Sequence, residues 1–171
     1  MSNITIVKYN SLWPQDFEAE KELVLSNVPI KGMVLHHIGS TSVKSLASKP
    51  IIDILIELPK VETLDEYSNQ FKRLGYEPMG EFGISGRRYF RKGLEKRTHH
   101  IHAFNSGTDN AKRHLAFRDY LATHQEIAKA YESVKYSAAE MCNGDNARYC
   151  ELKNDFVVYH EKLAMQWSEQ A

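Results

Sequence analysis

The sequence predicts an α+β domain in which a mixed β-sheet, formed by the first part of the chain, packs against helices formed by the rest. The chain has 171 residues, which is the size of one ordinary domain, and it is 42% hydrophobic and 26% charged, as in globular proteins. Its periodicity changes once: strands mixed with two helices extend to about residue 105, and helix alone follows. No repeat or linker divides residues 1–171, so we expect a single domain with a sheet-rich part at about 1–105 and a helical part at about 106–171.

The first part of the chain contains the strongest strand signal. Residues 50–58 form an almost continuous apolar run, which is typical of a central strand covered on both sides. Weaker strand patterns occur at residues 4–9, 33–38, 87–91 and 99–104. A helix is predicted to begin at Trp13-Pro14 and to end before Pro29. A second helix is predicted from a capping box at Thr63 and Glu66 as far as Gly75.

The helical part is predicted to contain three segments. The first begins near Asp109, the second is an amphipathic segment over about 127–138, and the third is capped by Asp145. Because helices follow the strands as a block, they are expected to pack on the sheet as an added section.

Charge and cysteine content exclude several classes of protein. Lys plus Arg and Asp plus Glu are both 22, so no overall field attracts long nucleic acid or an anionic membrane. Cys142 and Cys150 are the only cysteines and are too few for a disulfide framework. The first residues lack the pattern of a signal peptide, and no apolar run is long enough to span a membrane. These features predict a cytoplasmic protein whose partner is a small molecule.

A turn of small residues between two predicted strands is the sharpest local feature. Gly permits close approach of the backbone to a ligand, and hydroxyl groups add hydrogen-bond donors, so this turn can surround a phosphate. It is not a P-loop, since Lys44 stands where that motif has its second glycine. An ordinary strand-to-helix turn remains the alternative. The predicted phosphate-binding residues are Gly39, Ser40, Thr41 and Ser42, with Lys49 following them.

Asp53 interrupts the central strand, where an ionised carboxylate is costly unless cations or donors meet it. Alternation places Asp53 and Leu55 on one face and the isoleucines of this strand on the other, which we expect to be the core face. His100 and His102, two residues apart in a strand, must point the same way. With Asp53 they would form a set of two histidines and one carboxylate, suited to a metal ion. The alternatives are a structural Asp53 paired with Lys49 or an arginine, and structural histidines.

Arginines flank the same strands. Arg87, Arg88 and Arg97 could each hold phosphate or carboxylate oxygens with two parallel hydrogen bonds. Arg118 lies in the first helix of the helical part, where a polar group can face back toward the sheet. Exposed charges at a strand edge explain the first three arginines equally well.

Four segments in this order resemble the GrpB-like proteins. They are residues 37–42, 49–54, 98–102 and 114–121, and the likeness extends from Trp13 to about Phe156. That family resembles a branch of the nucleotidyltransferase fold shared by DNA polymerase beta and kanamycin nucleotidyltransferase. The resemblance implies a Gly-Ser turn that holds nucleotide phosphates, and carboxylates that hold Mg²⁺ for attack on the α-phosphate.

The chain departs from that pattern at one position, because Leu55 replaces the second carboxylate. The resemblance therefore implies Asp53 as the catalytic carboxylate, a divalent metal (Mg²⁺ or Mn²⁺, or else Zn²⁺), and His100 or His102 as substitute ligands. Members fused to dephospho-CoA kinase imply a link to nucleotide or CoA metabolism.

Three hypotheses follow. The first is a metal-dependent, nucleotidyltransferase-like domain that binds a nucleotide or another phosphate-bearing small molecule. The second, favoured by Leu55, is a catalytically degenerate module that senses a nucleotide or presents a surface to a partner. The third is a mononuclear metal hydrolase built on the histidines and Asp53. The substitution Leu55→Asp is expected to strengthen Mg²⁺-dependent chemistry only if the rest of the site is intact.

Overall fold

The computed structural model describes residues 3–171, which form five strands and five α-helices. The strands are β1 (Val34–Ile38), β2 (Ile52–Leu58), β3 (Tyr76–Pro78), β4 (Arg88–Lys92) and β5 (His99–Asn105). The helices are α1 (Trp13–Asn27), α2 (Ser68–Arg73), α3 (Asp109–Thr123), α4 (Gln125–Met141) and α5 (Asn146–Glu169). Two 3₁₀ segments, Ser40–Ser42 and Val61–Tyr67, complete the element order.

The five strands form one mixed sheet in the order β1-β2-β5-β4-β3. β2 and β5 are parallel, and every other pair is antiparallel. The apolar run of β2 thus lies inside the sheet, as its composition predicts. In this register Asp53 lies beside His100, and Leu55 beside His102. The parallel pairing therefore brings the predicted site residues of two distant segments together on one face.

The main hydrophobic core lies between α1, α2 and one face of the sheet. Ile54 and Ile56 of β2 and Ile101 of β5 are fully buried there, and Phe71 of α2 packs against Phe90 of β4. These residues confirm the predicted core face of β2.

The opposite face of β2 is also buried in part, as expected for a central strand covered on both sides. Leu55 has no exposed surface and packs in a second cluster with Ile38, Phe104 and Ala111. Ile84, from the loop between β3 and β4, packs against the same cluster. Alternation shows which residues share a face but not what covers that face, and here α3 covers Leu55.

The helical part packs on itself and on the segment after the Gly39 turn. Asp145 caps α5 by accepting hydrogen bonds from two backbone N–H groups, as predicted, whereas Thr108 caps α3. Val43 and Leu46 pack against Leu121 of α3 and Tyr131 of α4. This contact attaches the helical part to the predicted phosphate-binding turn.

Two predicted elements differ from the structure, and one strand of the structure was not predicted. Residues 4–9 make only an isolated bridge between Val7 and Ser48. The predicted helix at Thr63 is a 3₁₀ segment over Val61–Tyr67 without a side-chain cap, and α2 follows it. β3 is an additional short edge strand. The α+β class with a mixed sheet is confirmed, and within residues 3–171 no helix has the length and apolarity needed to cross a membrane.

Candidate functional site

The Gly39 turn connects β1 to a single 3₁₀ turn and lies directly against Asp53. Gly39 has φ +74°, and a Cβ atom built on it would lie 2.6 Å from Asp53 Oδ2. Only glycine fits this conformation and this contact. The Ser42 hydroxyl donates to the Gly39 carbonyl at 2.5 Å, and the Thr41 hydroxyl lies 2.9 Å from His37 Nε2. Ser42 and buried Thr41 therefore shape the turn, and Ser40 is the hydroxyl directed toward Tyr131 of α4.

Two histidines face Asp53 from the neighbouring strand. His100 Nδ1 and His102 Nε2 each lie 3.6 Å from Asp53 Oδ1. Burial alone would raise the pKa of the Asp53 carboxyl, but the polar contacts with His100 and His102 outweigh burial and hold that pKa well below its usual range. Asp53 is therefore ionised. The cost of burying a carboxylate in this strand predicts that Asp53 has polar partners, and the two imidazoles are those partners.

Arg87 determines how His102 faces Asp53. Arg87 is buried and donates through Nη1 to His102 Nδ1 at 3.4 Å. Since an arginine N–H can only donate, Nδ1 must accept, and the ring proton then lies on Nε2, which faces Asp53. Burial also lowers the pKa of His102, in agreement with a neutral ring. The sequence analysis named Arg87 as a possible phosphate or carboxylate contact, but a contact with His102 leaves no local sequence signal.

Two lysines from distant segments share one aromatic ring beside this cluster. Lys49 Nζ lies 4.8 Å from the centre of the Tyr149 ring, and Lys153 Nζ lies 4.6 Å from it. Burial and mutual repulsion lower the pKa of Lys49, burial lowers that of Lys153, and the charge of Asp53 raises both. Lys49 donates to Asn146 Oδ1, and neither ammonium group forms an ion pair within residues 3–171. Lys153 and Tyr149 were not predicted as site residues.

Helix α4 holds the backbone between the turn and β2. Glu132 Oε1 accepts the Ala47 N–H at 2.8 Å, and Lys135 Nζ donates to the Ala47 carbonyl. Lys135 is only 2% exposed, and burial followed by repulsion from Lys153 lowers its pKa to about 7. Both backbone polar groups of Ala47 are thus satisfied by one helix, which fixes the position of the turn relative to α4.

Arg88 and Arg118, two of the predicted arginines, differ in position. Arg88 makes two hydrogen bonds to Asp65, at 2.8 and 3.1 Å, and its strand partner Ala103 belongs to the main core face. The structure therefore does not bring Arg88 to the cluster. Arg118 reaches the His37 carbonyl at 3.3 Å while pairing with the neighbouring Asp119 at 2.8 Å, so it lies at the edge of the turn.

Three further histidines lie on the two faces of the sheet. His37 stacks on Phe17 of α1, and His99 contacts Glu20 of the same helix. His114 of α3 lies on the site's face, with its ring 5.2 Å from that of His102, and burial lowers its pKa far below the usual value. His114 thus contributes a neutral ring from α3 next to His102.

The donor set does not reproduce a two-metal carboxylate clamp. Leu55, at the second carboxylate position, is fully buried in an apolar cluster. His102 uses both ring nitrogens in contacts with protein groups. Across residues 3–171, no three histidine, cysteine or acidic residues are arranged to hold a metal ion. A cavity of about 620 Å³ lies elsewhere, beside Tyr76 and Lys92 at the β3–β4 edge.

Comparison with known proteins identifies close relatives. A protein called UPF0157 protein YqkA of Bacillus subtilis is 41% identical over 97% of this chain, and UPF0157 protein PA4798 of Pseudomonas aeruginosa is 33% identical over 91%. The chain spans 48% and 65% of these two relatives. The glutamate-rich protein GrpB of Alkalihalophilus pseudofirmus is 31% identical over 90% of this chain and 91% of that protein.

Solved structures agree with the fold and the family. A crystal structure of the conserved protein GrpB from Enterococcus faecalis superposes with TM-score 0.91 and 40% identity, over 96% of this chain and 99% of that one. A cytoplasmic RNA terminal U-transferase superposes with TM-score 0.54 and 11% identity, over 77% of this chain and 42% of that one. This last likeness shows a nucleotidyltransferase-like fold and nothing about activity. The sequence profile described as "GrpB protein" matches residues 3–162. The chain therefore belongs to the GrpB family.

Proposed function

We propose that this domain binds a nucleotide, or another phosphate-bearing small molecule, between the Gly39–Ser42 turn and helices α4 and α5. One observation carries the proposal: the ammonium groups of Lys49 and Lys153 lie on the same Tyr149 ring with no carboxylate partner within residues 3–171. Burial and repulsion from Lys153 lower the pKa of Lys49, and a bound polyanion would remove the cost of holding both charges on one ring.

The turn and the lysines belong to one site. Asp53 touches Gly39, and its charge acts on both Lys49 and Lys153. The Ser40 side chain contacts Tyr131 on the same side. A phosphate chain at the turn would therefore meet the backbone near Gly39, the Ser40 hydroxyl and two ammonium groups.

A divalent ion, Mg²⁺ or Mn²⁺, enters this proposal together with the phosphates. The Asp53 carboxylate lies against the turn at Gly39, and phosphate oxygens would provide the remaining hard ligands that such an ion prefers. His100 adds a nitrogen donor that suits Zn²⁺ better than Mg²⁺. We assign no reaction step to the ion, because the described residues form no metal cage.

A second candidate function is nucleotide binding without transfer. The observation that favours it is Leu55, since an aliphatic side chain buried against Phe104 and Ala111 cannot ligate a cation. In this case Asp53 would position a ligand, and a partner protein or a further part of a longer chain would respond to its presence. Measured turnover of a bound nucleotide distinguishes the two functions.

Calorimetric titration of ATP, dephospho-CoA and inorganic tripolyphosphate, each with and without Mg²⁺, tests the proposal. The decisive variant is Lys153→Met, which keeps the length of the side chain and removes its charge. Lys162→Met, an exposed lysine on the same helix, is the matched control. Hydrogen bonds to charged groups contribute about 1.5–3 kcal/mol, so we expect Lys153→Met to weaken phosphate binding about 10- to 150-fold.

The control should bind as the wild type does. Equal affinities of Lys153→Met and the wild type would remove the basis of the proposal, and so would a wild-type protein that binds none of the three ligands.

A further inference from the structure

The loop between β3 and β4 presents an exposed aromatic ring next to the site. Phe82 is 54% exposed and has φ +47°, a left-handed conformation that an aromatic residue seldom adopts. Strained residues of this kind persist where the surrounding structure holds them, often at ligand sites. Contacts with the surrounding structure must therefore hold Phe82 in this conformation.

Arg87 fixes the loop that carries Phe82. The Arg87 guanidinium donates to the Glu81 carbonyl at 3.1 Å and to the Phe82 carbonyl at 2.7 Å. The same guanidinium contacts His102 of the Asp53 cluster. Two residues after Phe82, Ile84 packs into the apolar cluster around Leu55. Hydrogen bonds from one buried arginine thus connect the backbone at Phe82 to the site.

A chain of ring contacts, of which the Phe82–Tyr89 pair is stacked and the Tyr89–histidine pairs are tilted, connects Phe82 to the site. The Phe82 ring stacks on Tyr89 with centres 5.2 Å apart and planes inclined by 12°. Tyr89 in turn lies 5.3 Å from His102 and 5.7 Å from His100. One face of Phe82 is therefore occupied by Tyr89, and half of the residue remains open to solvent at the end of the stack.

Two cations lie against these rings. The Arg87 guanidinium carbon is 4.8 Å from the centre of Tyr89, and that of Arg91 is 5.9 Å from the centre of Phe82. Nucleobases stack on aromatic side chains and on arginine planes, and every base has a suitable face. An isolated exposed phenylalanine needs no explanation, but a strained one, fixed by a buried arginine and stacked toward a polar cluster, does.

We propose that Phe82, supported by Tyr89, stacks with the nucleobase of a nucleotide whose phosphates occupy the Gly39 turn. This inference rests on the proposed function and narrows its ligand class from any phosphate-bearing molecule to nucleotides. Stacking accepts any base, because every base has an aromatic face. Purine nucleotides offer the larger face, so they should bind more tightly than pyrimidine nucleotides.

Calorimetry with ATP, UTP and tripolyphosphate tests the inference on the intact chain. Phe82→Ala and Phe82→Leu remove the ring, whereas Phe82→Trp keeps an aromatic face. Leu94→Ala, at an apolar residue that is 94% exposed, is the control for loss of surface apolarity. We expect both ring-deleting variants to bind ATP about 5- to 150-fold more weakly, with unchanged affinity for tripolyphosphate. Phe82→Trp and Leu94→Ala should bind ATP as the wild type does.

The outcomes separate this inference from the function on which it rests. If ATP binds the wild type no more tightly than tripolyphosphate, or if Phe82→Ala leaves ATP affinity unchanged, the stacking site is refuted and phosphate binding stands. If neither ATP, UTP nor tripolyphosphate binds the wild type, the proposed function fails, and the stacking site fails with it. Circular dichroism of each variant confirms that the loop substitutions leave the fold intact.

Discussion

Replacing Leu55 by aspartate would restore the second carboxylate of the nucleotidyltransferase pattern at a position where the structure has no room for a charge. Leu55 is fully buried and packs against Ile38, Phe104 and Ala111. From the sequence alone, Leu55→Asp is a substitution that could strengthen Mg²⁺-dependent chemistry. From the structure, we expect it to unfold or greatly destabilise the domain instead.

The expected loss has two parts. Truncating a fully buried leucine costs about 2–5 kcal/mol through lost transfer free energy and the cavity left behind. The introduced carboxyl can avoid being charged by staying protonated, which at pH 7 costs up to about 4 kcal/mol relative to an ordinary aspartate. Together these losses approach the total stability of a typical domain, about 5–15 kcal/mol. Leu55→Asn suffers the first loss but has no ionisable group, and it is the matched control.

The pH dependence identifies the carboxyl. Burial raises its pKa in the folded state, so the folded chain binds more protons than the unfolded chain. The free energy of unfolding of Leu55→Asp should then fall, relative to Leu55→Asn, by about 1.4 kcal/mol per pH unit from about pH 4 upward, until the raised pKa is passed.

Urea unfolding of both variants at about pH 5 and about pH 7, with and without MgCl₂, measures this difference. Equal stability of the two variants at both pH values would refute the buried position. An increase in the free energy of unfolding of Leu55→Asp on addition of MgCl₂ would also refute the buried position, because the new carboxylate would then face a metal site.

Two further predictions concern the turn and the helix that holds it. Gly39→Ala should lose more stability than Gly107→Ala. Both glycines have φ +74°, but Gly39, with ψ −175°, lies in a region adopted almost only by glycine, where strain costs about 1–3 kcal/mol, and its new Cβ would also meet Asp53. Urea unfolding compares them, and equal losses would mean that Asp53 moves aside freely. For Lys135, a folded pKa of about 7 lies below its unfolded value, so the folded chain binds fewer protons and the wild type should gain stability as pH rises above 7. Lys135→Met should lack this gain. If the difference in free energy of unfolding between the two proteins stayed constant from about pH 7 to about pH 10, Lys135 would remain charged in the folded state.

Local sequence patterns were sufficient for the fold class and for most strands. The apolar run of residues 50–58 predicts a central strand, and the structure places β2 between β1 and β5. The 3₁₀ segment at Val61–Tyr67 was not predicted, because a capping box signals a helix start without specifying its hydrogen-bond pattern. The short edge strand β3 has too few residues for a periodic pattern.

The candidate site was predictable only where its residues share a strand or a turn. Alternation was enough to place His100 and His102 on one face, and the cost of burying Asp53 was enough to require partners for it. Lys153 could not be found in this way, since a lysine in an amphipathic helix is usually a solvated residue. Its contact with Tyr149 and its proximity to Asp53 depend on how α5 packs against the turn, which is tertiary information.

Because Leu55 stands at the position of the second carboxylate, the net charge of the cleft between the Gly39 turn and helices α4 and α5 is also different. A site with two carboxylates repels phosphate and needs metal ions to reverse that repulsion. Here one carboxylate, Asp53, is met by two imidazoles and lies near two ammonium groups, Lys49 and Lys153, so the local charge is already positive. Such a cleft attracts an anion through its own side chains, and a metal ion becomes an accompaniment to the ligand rather than a condition for its binding. Leu55 is therefore consistent with retained phosphate binding even if two-metal transfer has been lost.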